Sequence, residues 1–334
     1  MLQPNTHILS AAQFNRTNLE SFFELANQMV PYAKAERLTT VLEGALLANL
    51  FFEPSTRTRL SFSAAFSRLG GKVIETTDKQ NSSITKGESL RDTARVVSGY
   101  VDVIVLRHPQ AGAALEFANA SHVPVINGGD GTNEHPTQAL LDIYTLQKEL
   151  HAKNKSLDGL RLALIGDLKH GRTVHSLVKL LNLFLGIHFI LISPPSLALP
   201  NELLVSIKEA GHTLTIAEQL LPAVSDVDAI YMTRLQEERF SSTQEAHQYR
   251  GRLQLNRAFY QKYCQPDTII MHPLPRDARP EAKELSEDLD EHANLAIFRQ
   301  TDNGLLIRMA LFCALFGVAE QVERFAREIS WRKM

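Results

Sequence analysis

Cysteine and tryptophan are scarce: 334 residues hold two of the first and one of the second. Cys264 and Cys313 lie far apart and match neither a disulfide framework nor a metal-ligand spacing. The expected setting is therefore reducing and cytoplasmic, with no metal. Charge of one sign is missing as well. With 35 basic and 37 acidic residues the formal net charge is −2 and the pI about 6.6. Such a balance argues against nucleic acid or an anionic membrane as a partner. Long hydrophobic runs are absent too. The most apolar stretch, LLNLFLGIHFILI, is broken by Asn182, Gly186 and His188 and falls short of the roughly 18 residues a membrane span needs. It reads as a helix end, a turn and a strand. The opening MLQPNTHILS has no basic region ahead of an apolar stretch, so no signal peptide is expected.

What is present is a globular composition, 44% apolar and 22% charged, in a chain long enough for two domains. Strand-like runs occur at 47–52, 72–76, 101–107, 123–127, 160–167, 188–193, 212–217, 229–234 and 268–273. Segments of helical period separate them, such as the face shared by Phe62, Phe66 and Leu69. This alternation predicts an α/β fold of two domains, each a mostly parallel sheet flanked by helices. The polar stretch KELHAKNKSLDG divides two complete alternating sets, which places the domains at 1–147 and 148–303. The amphipathic pattern LLIRMALFCALFGVAEQVERFAREI predicts a C-terminal helix within 304–334, packed back on the first domain with no strand after it.

Ligands of open parallel sheets bind outside the carboxyl ends of the strands. There the predicted strands carry Ser55 and Arg57, then Arg107 and His108, Asp167, Ser193, Arg234 and His272. That polar edge predicts a cleft for anions between the two domains. In FFEPSTRTRLSF a helix starting near Ser55 would offer unpaired N–H groups and positive partial charge. Ser55, Thr56 and Thr58 add hydroxyls, and Arg57 adds a forked cation suited to phosphate. The plain alternative is an N-capping serine with Arg57 and Arg59 on a solvated helix face. GDLKHGRTVHSL has the glycine spacing of a phosphate loop, but Arg172 replaces its lysine, and Asp167 and His170 fill the loop. Arg172 at a helix start is better suited to a carboxylate than to a nucleoside triphosphate. In NEHPTQALLD, Pro136 suits the first helical turn, and a neutral His135 beside Gln138 could donate to a carbonyl oxygen. MHPLPR places Leu274 between prolines that leave carbonyls free for an amino or amide ligand. The polar TTDKQNSSITKGES reads as an exposed loop in which Lys86 could reach an anion.

FFEPSTRTRLSF, SSITKG, VLRHPQAGAA, NEHPTQALLD, GDLKHGRTVHSL, YMTRLQEERF and MHPLPR together resemble the catalytic chains of the aspartate carbamoyltransferase family. They appear in the family's order and spread over both predicted domains. The resemblance implies transfer of a carbamoyl group from carbamoyl phosphate to L-aspartate, an early step of pyrimidine synthesis, without a cofactor. It implies that Ser55, Thr56, Arg57 and Thr58 bind the phosphate. Thr58, Arg107 and His135 would polarise the carbamoyl oxygen, while Gln138 and the Pro273 carbonyl hold the carbamoyl nitrogen. Arg172 would take the aspartate α-carboxylate, and Arg234, steadied by Gln236, the side-chain carboxylate. The Leu274 carbonyl would orient the amine. Ser82 and Lys86 would reach the neighbouring chain's site in a homotrimer. Regulatory chains or a dihydroorotase-like partner stay open.

Charge counting agrees: a phosphate and two carboxylates bring roughly four negative charges, met by Arg57, Arg107, Arg172, Arg234 and Lys86. Residues 277–292 and 250–257 match the family loosely. Two rivals differ at named places. Ornithine carbamoyltransferases carry S-M-R-T-R and H-C-L-P where this chain has Thr56 and Pro273. A silent homologue would have lost catalytic positions, and none of the matched ones is lost.

Overall fold

The computed structural model describes residues 2–76, 87–235 and 251–329. The chain divides into two compact units, Met1–Leu140 with Asp302–Met334, and Leu141–Thr301. Among the described residues the strands are β1 (Arg37–Thr39), β2 (Leu46–Phe51), β3 (Lys72–Thr76), β4 (Val103–His108), β5 (Val125–Asp130), β6 (Arg161–Ile165), β7 (His188–Ile192), β8 (Thr213–Ala217), β9 (Ala229–Met232), β10 (Ile269–Met271) and β11 (Ala326–Glu328). The α-helices are α1 (Arg16–Gln28), α2 (Val30–Ala33), α3 (Thr56–Arg68), α4 (Leu90–Val97), α5 (Ala113–Ala118), α6 (Pro136–His151), α7 (Arg172–Leu181), α8 (Asn201–Glu209), α9 (Arg257–Tyr263) and α10 (Ile297–Leu315).

The first unit is built on a parallel sheet ordered β3-β2-β4-β5 and the second on a parallel sheet ordered β10-β9-β6-β7-β8. All nine expected strands are there, and both sheets are parallel as the alternation predicts. Every residue of β4, β5 and β9 is buried, in keeping with the apolar runs VIVL of β4 and AIYM of β9. The edge strands β3 and β8 are only partly buried, with Ile74 and Ile216 among their exposed residues. No helix among the described residues is long and apolar enough to cross a membrane.

The order of each sheet determines what can gather at its carboxyl edge. In the first unit the chain leaves β2 for β3 and returns across it to β4, so the winding reverses between β2 and β4. In the second it runs from β6 out through β7 and β8, then returns to β9 on the other side. Loops diverge at such a reversal and leave a crevice there.

α3 is held in the first unit by its apolar face. Phe66 meets Phe312 of α10 edge-on at 4.8 Å between ring centroids, and Phe62 meets it at 6.0 Å. Arg308 of α10 donates to the Ser61 hydroxyl at 2.9 Å and lies over the Phe62 ring. The C-terminal pattern is corrected here in three respects. The helix starts earlier than 304, at Ile297, stops at Leu315, and is followed by a strand, β11, paired antiparallel with β1. Gly317 ends it: at φ +65° its N–H donates to Ala314, and that of Val318 donates to Cys313, closing the last turn. Residues beyond it keep an apolar rhythm but form a short 3-10 turn and β11.

Candidate active site

In the first unit, Arg57 follows β2 and Arg107 is the last residue but one of β4, on the two sides of the winding reversal. Phe51 and Arg107 are register partners, and the Phe52 N–H donates to the Arg107 carbonyl at 2.9 Å. Ser55 occupies the N-cap position of α3, but its side chain makes no capping hydrogen bond. Its hydroxyl is therefore not spent on the first amides of α3. Thr56 is exposed and Thr58 buried. Among the described residues the Arg57 guanidinium makes no hydrogen bond or ion pair. It stands at the surface of the first turn, yet surrounding protein atoms displace enough water to lower its pKa.

Arg59 behaves differently. It pairs with Glu75 of β3, which also accepts from Ser63, and Ser63 and the Arg59 carbonyl both accept from the Asn49 amide. Burial alone would raise the Glu75 pKa, but these partners outweigh it and the net shift is downward. Arg59 thus ties α3 to β3, and Arg57 is left for the helix end.

Arg107 is buried. It donates to Glu53 at 2.9 Å and to the Gly128 carbonyl at 3.1 Å. Glu53 sits inside FFEPSTRTRLSF and drew no attention there, because a carboxylate in a phosphate-binding stretch looks unfavourable until its arginine partner is seen. His135, buried, immediately precedes α6, and Gln138 lies in the first turn. The preceding loop is pinned by two carboxylates. Asp130 accepts from Asn127, Gly112, Asn133 and Glu134, and Glu134 accepts from the Ser10 hydroxyl at 2.6 Å and the Ala11 amide at 2.8 Å. Sequence reasoning passed over both acids: Asp130 serves its own turn, and the partners of Glu134 are distant in the chain.

In the second unit, Arg172 is the first residue of α7 after β6, and Arg234 follows β9. These strands flank the second reversal. Gly166, at φ +115°, makes their close approach possible: a Cβ there would stand 2.2 Å from the Thr233 carbonyl oxygen. Thr233 in turn donates to Ile165 through its amide at 2.8 Å and its hydroxyl at 2.9 Å. The loop after β6 is no phosphate cradle, because Asp167 accepts from the His170 amide at 2.9 Å inside it.

Pro273 and Leu274 follow β10. Leu274 adopts φ +59°, a left-handed conformation that a leucine rarely takes, before a cis bond to Pro275. Its N–H donates to His272 Nδ1 at 2.8 Å, so the buried imidazole carries its proton on Nε2 and donates it to Glu284 at 2.8 Å. Glu284 also accepts from the Asp277 amide. The 277–292 stretch is thus no solvated charged run. Leu285 and Leu289 enter the core of this unit, and Arg276 bridges to Asp290 at 2.6 Å. Asp277 is held by Arg279, which pulls its pKa down to about 2; the Arg234 charge contributes in the same direction. Ser82, Lys86 and Gln236 lie outside the described residues.

The family model described as "Aspartate/ornithine carbamoyltransferase, carbamoyl-P binding domain" matches residues 6–148, and that described as "Aspartate/ornithine carbamoyltransferase, Asp/Orn binding domain" matches 158–315. An aspartate carbamoyltransferase catalytic subunit of Saccharophagus degradans is 59% identical over 98% of this chain and 97% of its own length. The chain belongs to the aspartate/ornithine carbamoyltransferase family. A catalytic subunit from Cellvibrio japonicus is also 59% identical, over 97% of this chain and 96% of its own. Among solved members of the family, the catalytic subunit of M. jannaschii aspartate transcarbamoylase is 41% identical, covering 94% of this chain and 99% of its own with a TM-score of 0.84. The Trypanosoma cruzi aspartate transcarbamoylase in complex with N-(phosphonacetyl)-L-aspartic acid is 38% identical, covering 93% and 96%, with a TM-score of 0.86.

Proposed function

We propose that this chain transfers the carbamoyl group of carbamoyl phosphate to the amino group of L-aspartate, giving N-carbamoyl-L-aspartate and phosphate, in pyrimidine synthesis. The observation that carries the reading is 59% identity, over almost the whole chain, to aspartate carbamoyltransferase catalytic subunits. The first unit, expected from sequence at 1–147, serves as the carbamoyl-phosphate domain, and the second, expected at 148–303 and beginning at Leu141, as the aspartate domain. The α3 N-terminus with Ser55, Thr56, Arg57 and Thr58 receives the phosphate, as helix ends receive anions. Arg107, Thr58 and His135 donate to the carbamoyl oxygen; Gln138 and the Pro273 carbonyl hold its nitrogen. Arg172 and Arg234, with Gln236, take the two carboxylates, and the Leu274 carbonyl accepts from the amine.

Catalysis then rests on positioning and on stabilising an oxyanion. The amine nitrogen attacks the carbonyl carbon and negative charge collects on its oxygen, where Arg107 and His135 are ready to donate. The bond from carbon to the phosphate oxygen breaks as the charge returns, and Arg57 stabilises the departing phosphate. The amine proton leaves with that phosphate. The active assembly is a cytoplasmic homotrimer in which Ser82 and Lys86 serve the neighbouring chain's site.

The test is carbamoyl transfer by the purified chain with aspartate and ornithine compared at equal concentration. Turnover with aspartate alone is expected. Turnover with ornithine would contradict the roles given to Arg172 and Arg234.

A further inference from the structure

A carboxylate the proposed reaction does not use lies fully buried in the second unit. Asp142, in the second turn of α6, accepts from the Tyr231 hydroxyl at 2.7 Å on one oxygen and from the Gln300 amide at 2.6 Å on the other. Burying a carboxylate is costly unless its oxygens are satisfied. Here each is satisfied by a group that is itself buried and leads to a different part of the chain.

The Tyr231 branch runs to both arginines. Tyr231 lies in β9, three residues before Arg234. Its hydroxyl also shares a hydrogen bond with the side chain of Thr173, the neighbour of Arg172 at the start of α7. The Gln300 branch runs to the proline loop: Gln300 accepts from the His272 amide at 3.1 Å, and His272 Nδ1 accepts from the Leu274 amide at 2.8 Å. All three segments proposed to hold aspartate thus converge on one buried acid through no more than two intervening side chains.

We infer that Asp142 is the positioning residue of the aspartate site, fixing the mutual placement of Arg172, Arg234 and the Leu274 carbonyl without touching substrate. The inference rests on the functional reading above. A dicarboxylate held by two guanidinium groups and a carbonyl needs all three at set separations, and displacements of about an ångström cost rates and affinities heavily. Asparagine at 142 keeps the shape but replaces one acceptor oxygen with a donor, so it can satisfy only one branch as the native acid does.

The experiment measures steady-state kinetics for both substrates, with thermal midpoints, in wild type, Asp142→Asn, Tyr231→Phe and the double variant. The expected result is an aspartate KM raised about tenfold in Asp142→Asn, with the carbamoyl phosphate KM within about twofold and kcat less affected. Tyr231→Phe should shift the same parameter, and the double variant should be no worse than Asp142→Asn, since residues acting through one bond are not additive. An active wild type whose folded variants keep the aspartate KM, or raise both KM values equally, would overturn the inference, whatever their thermal midpoints. Should Asp142→Asn fail to fold, Tyr231→Phe decides alone, because it removes one hydroxyl and leaves the acid bound to Gln300. A wild type inactive with aspartate would overturn the functional reading itself and this inference with it.

Discussion

Arg57 and Arg59 stand two residues apart on one helix and do different work. The sequence assigns only Arg57 to an anion; the structure commits Arg59 to Glu75 and leaves Arg57 at the helix end. Arg57→Ala should therefore lower kcat on the order of 10³-fold, the scale for losing a transition-state donor, while the circular dichroism spectrum and thermal midpoint stay near wild type. Arg234→Ala should raise the aspartate KM far more than the carbamoyl phosphate KM in the same assay; equal effects would contradict its assignment. Asp277 yields a pH prediction. Its folded pKa, about 2, lies below the ordinary 3.8, so its ionised form stabilises the fold above the ordinary value, and that contribution fades as pH falls through about 2. Arg279→Ala removes the main cause. Because Arg279 is nearly half exposed, the loss should be about 1 kcal/mol near neutrality. Urea midpoints should show this gap at pH 6 and show it narrowing towards pH 3. The Arg59–Glu75 pairing could not be read from spacing, because it depends on β3 being brought beside α3 by folding.

At the scale of elements, the sequence was most legible where burial is complete. β4, β6, β7 and β9 announce themselves as apolar, β-branched runs because both their faces are covered. β1 and β11 were not legible. Three residues each, with an exposed Arg–Glu register pair, they have no pattern to show, and only their pairing makes them strands. The end of α10 was misread for the opposite reason, since the apolar rhythm continues past Gly317 although the backbone there turns left-handed. The 277–292 stretch, charged and loosely matched to the family, shows no core pattern in sequence, yet its leucines fill the core and Glu284 holds His272. One glycine carries a prediction at this scale. Gly166→Ala would drive a methyl into the Thr233 carbonyl, so β6 and β9 must part where Arg172 and Arg234 are carried. The expected outcome is a lower thermal midpoint together with a raised aspartate KM, measured on the same preparation; a normal KM would show that this junction does not set the arginine spacing.

For the whole molecule, the prediction concerns assembly. If Ser82 and Lys86 serve a neighbouring chain, the active species should sediment at three times the 37.4 kDa chain mass, and dilution below the association range should abolish turnover. An active monomer in the ultracentrifuge would remove the shared-site proposal and leave the chemistry of the individual residues standing. The sequence by itself determined the parallel α/β class, the nine buried or edge strands of the two sheets and the family, because apolar periodicity and ordered local motifs are properties of contiguous residues. Only the tertiary structure decided that two arginine pairs flank two winding reversals, that Glu53 belongs to Arg107, and that Asp142 joins three distant segments. Strand order and buried hydrogen bonds are set by which segments pack side by side, and no local pattern encodes that choice.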